Sequence, residues 1–258
     1  MITSIANPQV KELLQLQKKS KARNERGIFI VEGVKMFQEA PREWIEKVYI
    51  SESFYNKKGK EMDFSELKAE ILADKVFSHV SDTKTPQGIL CLVKQRTIKL
   101  EDMLKENTPF LMVLDNLQDP GNLGTIVRTA EGAGVTGIIM SRDTVDIYNP
   151  KTIRSTMGSV YRMPFFYVDD MPEFLDELKQ KGVKTYAAHL EGINNYDEEN
   201  YREACAFLIG NEGNGLRPEV ADRADIRIKI PMQGQVESLN AAIASAVLMY
   251  EVSRQRRR

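Results

Sequence analysis

In the second half of the chain the apolar positions fall into short, evenly spaced blocks, and that spacing predicts most of its elements. FLMVLD (Phe110 to Asp115) is an unbroken apolar run closed by an acid, the pattern of a strand buried on both faces of a parallel sheet. In LGTIVRTAEGAG, Leu123, Ile126, Val127 and Ala130 recur at helical spacing, and Gly132 and Gly134 stand where a helix stops. VTGIIMS reads as the next strand. A helix around NPKTIRSTMG, the segment YRMPFFYV, the helix MPEFLDELKQKG and the strands KTYAAHL, CAFLIG and IRIKIP follow in order. The closing SLNAAIASAVLMYEVSRQ predicts a helix capped by Ser238, with Leu239, Ala242, Ile243, Ala246, Val247 and Tyr250 along one face. The first half alternates as well. A basic helix begins after Pro8, IFIVEG is a strand, GVKMFQEAPREW a helix, KVYIS a strand, FSELKAEIL a helix, and KVFSHV and GILCLV are strands. Alternation of this kind predicts an α/β layer fold.

Between the halves, QRTIKLEDMLKEN turns polar and charged before Pro109. The expected division is therefore a first domain at 1–95, a linker at 96–108 and a second domain at 109–258. No apolar run approaches the roughly 18 residues of a membrane span, and the N-terminal stretch lacks the apolar region of a signal peptide, so a cytoplasmic location is expected. Cys91 and Cys205 lie in apolar strand-like runs, where free thiols pack as small hydrophobes. His79 and His189 are far apart, and no metal site is expected. The net charge of −1 hides a split: residues 1–100 carry 18 Lys/Arg against 13 Asp/Glu, and residues 101–258 carry 18 against 24. The stretch Lys11 to Arg26 and the terminal RQRRR are basic clusters, suited to phosphates or to a solvated face.

GAGVTG (Gly132 to Gly137) matches the dinucleotide fingerprint letter for letter, but that fingerprint works only where it leaves a strand and opens a helix. Here the glycines close a helix, so no nicotinamide cofactor is expected. In an open α/β sheet ligands bind beyond the carboxyl ends of the strands. The loops to inspect are DNLQDPGNLGTIVRT, with Asn122 and Arg128; GNEGNGLRPE, with Gly210, Gly213, Gly215 and Glu212; and PMQGQVESLNAA, with Ser238 and Asn240. Taken singly, Asn122 and Ser238 read equally as caps, Glu212 as a surface charge and Arg128 as a solvated side chain. Jointly they describe a ligand site built of backbone, amides and one arginine.

The segments NLGTIVRTAEGAGV, FLIGNEGNGL and IPMQGQVESLNAAIASAVLMYE resemble, in order and spacing, the three motifs of the SpoU (TrmH-like) RNA 2′-O-ribose methyltransferases of the SPOUT superfamily. The N-terminal SIANPQVKELLQLQKKSKARNERGIFIVEGVKMFQEA is similar to the substrate-binding domain, related to ribosomal protein L30e, that precedes the catalytic domain in ribosomal RNA members. The resemblance implies an L30e-like α/β domain followed by a SPOUT α/β domain with a C-terminal trefoil knot, a homodimer through the C-terminal domain with the knot and the last helix at the interface, and S-adenosylmethionine as cofactor. Carried over by position, it implies a cofactor pocket at Leu208, Ile209, Gly210, Asn211, Gly213, Ile230, Met232, Ser238 and Leu239. Arg128, Asn122, Glu212 and Asn240 would be catalytic. Because a guanidinium almost never gives up its proton, Arg128 is expected to hold a phosphate and developing alkoxide charge, with water or phosphate taking the proton. The charge split makes Lys18, Lys19, Lys21, Arg23, Arg26 and Arg154 the expected RNA contacts. The implied substrate is large-subunit ribosomal RNA, at a guanosine. A transfer RNA target is one alternative. A non-catalytic RNA-binding, ribosome-associated factor is the other, whose mark would be damage to Asn122, Arg128, Glu212 or Asn240; all four are present.

Overall fold

The computed structural model describes residues 1–257, apart from the side chain of Lys60. Arg258, the last residue of the RQRRR cluster, lies outside the described residues. In chain order the elements are α1 (Pro8–Lys18), α2 (Ser20–Arg26), β1 (Ile28–Glu32), α3 (Val34–Glu39), β2 (Ile45–Ser51), α4 (Glu52–Lys57), β3 (Ala69–Leu72), α5 (Asp74–Val80) and β4 (Ile89–Lys94). There follow α6 (Leu100–Met103), β5 (Phe110–Leu114), α7 (Pro120–Ala133), β6 (Gly137–Ser141), α8 (Pro150–Thr156), β7 (Phe165–Val168), α9 (Met171–Gln180), β8 (Lys184–Ala188), β9 (Asn194–Asn195), β10 (Cys205–Ile209), α10 (Pro218–Ala221), β11 (Ile226–Lys229) and α11 (Ala241–Arg256). They form two compact units, Met1–Arg96 with Asp146–Tyr161, and Thr97–Val145 with Arg162–Arg258.

The first unit holds a mixed four-stranded sheet ordered β1-β4-β2-β3, parallel only between β2 and β3. Val10, Leu13 and Leu16 of α1 and Phe77 of α5 close its core against Ile28, Ile30, Tyr49 and Leu90. The basic helix of the sequence is broken in two at Lys19, whose backbone is extended (φ −122°, ψ 114°). Two expectations are corrected. FSELKAEIL, read as a helix, contains strand β3: Glu66 sits at φ +67°, which no helix tolerates, and Ala69–Leu72 pairs with β2 instead. KVFSHV, read as a strand, is the body of α5. Val76, Phe77 and Val80 are buried at i, i+1 and i+4, a helical period that so short a run disguises. Residues 146–161, taken from sequence as part of one continuous stretch 109–258, group with this unit. Asp146 accepts from the buried Arg23 (Nε 3.0 Å), Tyr148 lies against Phe29 (centroids 4.5 Å apart), and the Tyr161 hydroxyl donates to Met36 O at 2.9 Å.

The second unit is a seven-stranded sheet ordered β7-β6-β5-β10-β8-β11-β9, with every pairing parallel. All carboxyl ends therefore lie on one edge. From β5 the chain winds outward through β6 to β7, then returns to the other side, so that β5 and β10 become neighbours where the winding reverses. Leu114 is paired with Ile209, and the Asp115 N–H donates to Ile209 O at 2.8 Å. The two loops that follow thus start side by side, at the place where open α/β sheets hold ligands. On one face Leu111, Val113, Ile139, Ala206 and Leu208 pack with Phe174, Leu175 and Leu178 of α9 and Val220 of α10; burying each of the larger side chains contributes about 1.5–3 kcal/mol. Helix α11 packs against α7 and β10. Its cap is Asn240, in place of the expected Ser238, and it buries Ala242, Leu248, Met249 and Val252. Of the face expected from sequence, Ile243 and Tyr250 are 52% and 49% exposed. The helix is apolar on both sides, so periodicity alone does not say which side packs inward. Cys91 and Cys205 are free and buried, as read. Among the described residues no helix is long and apolar enough to cross a membrane.

Candidate functional site

The loop after β5 ends in Asp119, whose side chain accepts from the Asn122 N–H (2.8 Å) and caps α7, with Pro120 in the first turn. Asn122 is therefore the third residue of α7 and not its cap, which leaves its side-chain amide for other partners. Glu212, from the loop after β10, accepts from the N–H groups of Gln118 (2.9 Å) and Asp119 (2.8 Å) and from Asn122 Nδ2 (3.0 Å). Asn240, from the loop after β11, donates through Nδ2 to Asn122 Oδ1 at 3.0 Å. Its own Oδ1 accepts from Ala242 N–H (2.9 Å) and Ile243 N–H (3.3 Å), capping α11.

This chain of contacts is determined from both ends. A carboxylate only accepts, so Glu212 draws Nδ2 of Asn122 toward itself and turns Oδ1 toward Asn240. The N-terminus of α11 only donates, so it fixes Oδ1 of Asn240 and turns its Nδ2 toward Asn122. Each amide keeps one N–H unused by this chain, and those two donors are what the arrangement offers to a ligand. Burial opposes the charge of Glu212, but the hydrogen bonds from Asn122, Gln118 and Asp119 outweigh it and hold its pKa below the usual carboxylate value. Glu212 is thus an anion that orders its neighbours and a weak candidate for a base.

The glycines of this loop serve its own turn. A Cβ on Gly210 would lie 2.1 Å from the Gly215 carbonyl carbon, Gly215 has φ +68°, and Asn211 and Gly215 exchange two backbone hydrogen bonds of 2.9 Å. Asn211 Oδ1 accepts from the N–H groups of Gly213 and Asn214, both at 3.0 Å, so Asn211 is occupied in folding the turn. Leu208 and Ile209 are buried at the end of β10. After β11, Ile230, Met232 and Leu239 are half-buried, Ser238 is exposed, and a Cβ on Gly234 would meet nothing within 4 Å. Apolar side chains beside open backbone suit one flat, partly apolar ligand; among the described residues no cluster has the donors for a metal.

The remaining expected residues separate. Arg128 lies six positions beyond Asn122 on α7, about 9 Å along its axis, exposed, and its side chain makes no ion pair or hydrogen bond among the described residues. It does not join the Glu212–Asn122–Asn240 chain. Lys18, Lys19 and Lys21 are exposed, and Lys21 stands 3.8 Å from Glu25. Arg23 leaves the phosphate-facing set: it is 3% exposed, and its guanidinium is taken by Asp146 and the carbonyls of Leu16 and Gln17. Arg26 bridges Glu12 (3.1 Å) and Glu46 (3.0 Å), and Arg154 is paired with Asp82. In the C-terminal cluster Arg256 donates to the carbonyls of Thr108, Tyr201 and Glu203. The sequence gives Asp115 no role beyond closing an apolar run and does not single out Arg217. The signals were an acid ending an apolar run and an arginine ahead of Pro218, the first residue of a helix.

Two family models match the chain: the SpoU rRNA Methylase family over residues 109–250, and the MRM3-like substrate binding domain over residues 7–91. The 23S rRNA (guanosine(2553)-2′-O)-methyltransferase RlmP of Bacillus subtilis is 33% identical, across 97% of this chain and 98% of its own. An AdoMet-bound rRNA methyltransferase from Sinorhizobium meliloti superposes with a TM-score of 0.86 at 31% identity, covering 98% of this chain and 97% of that one. The SpoU methyltransferase AviRb from Streptomyces viridochromogenes, at 23% identity and a TM-score of 0.87, shares the fold over 97% of this chain and 98% of its own.

Proposed function

Because this chain belongs to the SpoU rRNA methylase family, we propose that it transfers the methyl group of S-adenosylmethionine to a ribose 2′-hydroxyl of 23S ribosomal RNA, at a guanosine. The observation that carries this reading is the Glu212–Asn122–Asn240 chain, in which three loops converge on two oriented amides at the carboxyl edge of the sheet. The chain is an RNA 2′-O-methyltransferase, and its cofactor is S-adenosylmethionine.

The cofactor supplies a methyl group already activated on a sulfonium. What remains for the protein is to hold the hydroxyl in line and to dispose of its proton. The unused N–H donors of Asn122 and Asn240 would orient the 2′-oxygen and support charge developing on it, while Glu212 keeps both amides turned the right way. Arg128 would hold the neighbouring phosphate. Leu208, Ile209, Gly210, Ile230, Met232, Ser238 and Leu239 would form the cofactor pocket, with Asn211 and Gly213 shaping the loop beneath it.

In the same reading the second unit carries a C-terminal trefoil knot, and the first is an L30e-like domain that grips RNA through Lys18, Lys19 and Lys21. A homodimer would cover Ile243 and Tyr250, whose exposure supports that role. A ribosomal RNA substrate would place the enzyme in the cytoplasm. The test is methyl transfer from labelled S-adenosylmethionine to unmodified 23S RNA, small-subunit RNA and transfer RNA, with Arg128→Ala alongside. Label on a 2′-oxygen of 23S RNA is expected, reduced on the order of 10²-fold or more in the variant. Label on transfer RNA alone would move the substrate, and full turnover in the variant would remove Arg128 from the mechanism.

A further inference from the structure

We infer that Arg217, through its ion pair with Asp115, is a positioning residue for methyl transfer, fixing the loop that carries Glu212 against the loop that carries Asn122. The inference rests on the site proposed above. Asp115 is fully buried at the end of β5, where its carboxylate oxygens are cut off from water and must find their hydrogen-bond partners within the protein. Arg217 supplies them: its Nε lies 3.1 and 3.0 Å from the two carboxylate oxygens, its Nη2 contacts Oδ1, and its backbone N–H donates to Oδ2 at 3.4 Å. The same guanidinium reaches Asp143 Oδ2 at 3.6 Å, in the loop after β6, and the Asp143 carbonyl accepts from Gln118 Nε2 at 2.7 Å.

One side chain therefore ties three loops together. The Glu212 loop is a tight turn closed on itself between Asn211 and Gly215, so it moves as a body. Its placement depends on what fastens it to its neighbours. Those fastenings are Glu212 itself, Asn211 Nδ2 on Asn116 O (2.9 Å), and the Arg217–Asp115 fork, the only one of the three anchored on a buried charge. A planar guanidinium matches a carboxylate in two parallel bonds, whereas an ammonium keeps the charge and loses the fork.

The experiment measures steady-state methylation by the full-length protein carrying Arg217→Lys, Glu212→Gln, or both. Arg217→Lys is expected to lower kcat on the order of 10²-fold, because a displacement of about an ångström at the reacting groups is enough, with the KM for RNA and the Kd for S-adenosylmethionine within about threefold of wild type. The double variant is expected to be no slower than the slower of the two single variants, since both substitutions break one device. Effects that multiply, or a raised KM with unchanged kcat, would overturn the inference. Should Arg217→Lys fold poorly, Asp115→Asn combined with Arg217→Gln keeps a neutral hydrogen-bonded pair, and the same loss of kcat is expected; wild-type kcat there would count against it. An active wild type with Glu212→Gln at full turnover would overturn the site reading, and this inference with it.

Discussion

At the scale of single residues, the site depends on one carboxylate being charged. The folded pKa of Glu212 lies below its ordinary value, so its contribution is complete above the usual glutamate range, about 4.3, and is lost as the pH falls through the lowered folded value. Glu212 is exposed, and solvent screening keeps that contribution to overall stability small. The larger effect falls on geometry, because an uncharged side chain no longer accepts from Gln118, Asp119 and Asn122 together. In Glu212→Gln an amide N–H must face at least one of these donors. We expect turnover at neutral pH to drop about tenfold or more, and the melting temperature to fall less steeply between about pH 6 and pH 3 than in wild type. Parallel melting curves with wild-type turnover would show that the charge of Glu212 orders nothing.

Among the elements, α11 begins at a residue to which the proposed mechanism gives two separable tasks. Asn240 caps the helix with Oδ1 and orients Asn122 with Nδ2, and two substitutions separate the roles. Asn240→Ala removes both, lowering stability by about 1 kcal/mol together with turnover. Asn240→Ser keeps a capping oxygen but has no amide donor, so thermal melts should stay near wild type while turnover falls as far as in the alanine variant. A serine variant with full activity would reduce Asn240 to a cap. The same helix marks how far sequence legibility reached. Its existence and length were readable because Ala, Leu and Met are strong helix formers, but Ser238 and Asn240 are both good caps two positions apart, and the apolar residues encircle the helix. The strands β5 and β10 were readable because a strand buried on both faces must be apolar throughout. The short β3 and α5 exchanged identities, since four to seven residues hold too little periodicity to separate a period of 2 from one of 3.6. The convergence of Asn122, Glu212 and Asn240 was readable only as three loops on one edge. That Gly210 makes room for Gly215, and that Asp119 takes the cap at Asn122's expense, are consequences of backbone geometry that composition does not encode.

For the molecule as a whole, the charge split of the sequence overstates the cations available to RNA. Of the six basic residues expected to meet phosphates, Arg23, Arg26 and Arg154 already hold Asp146, Glu12 with Glu46, and Asp82. Lys18 and Lys19 have no ion pair among the described residues, and Lys21 has a distant one. Counterion release then assigns the two groups different signatures. Each phosphate neutralised by a lysine steepens the dependence of log K on log salt by about 0.7–0.9, so Lys18→Ala, Lys19→Ala and Lys21→Ala combined should flatten the slope for 23S RNA fragments by about 2–3. Arg23→Ala should leave the slope unchanged. It removes one partner of a buried pair that anchors residues 146–161, and should instead lower stability by about 3–5 kcal/mol, read from urea unfolding of the unliganded protein. A flattened slope in Arg23→Ala with stability intact would mean that the pair with Asp146 opens to admit a phosphate. An unchanged slope in the lysine variant would place the RNA-binding face of the first unit elsewhere than on α1 and α2.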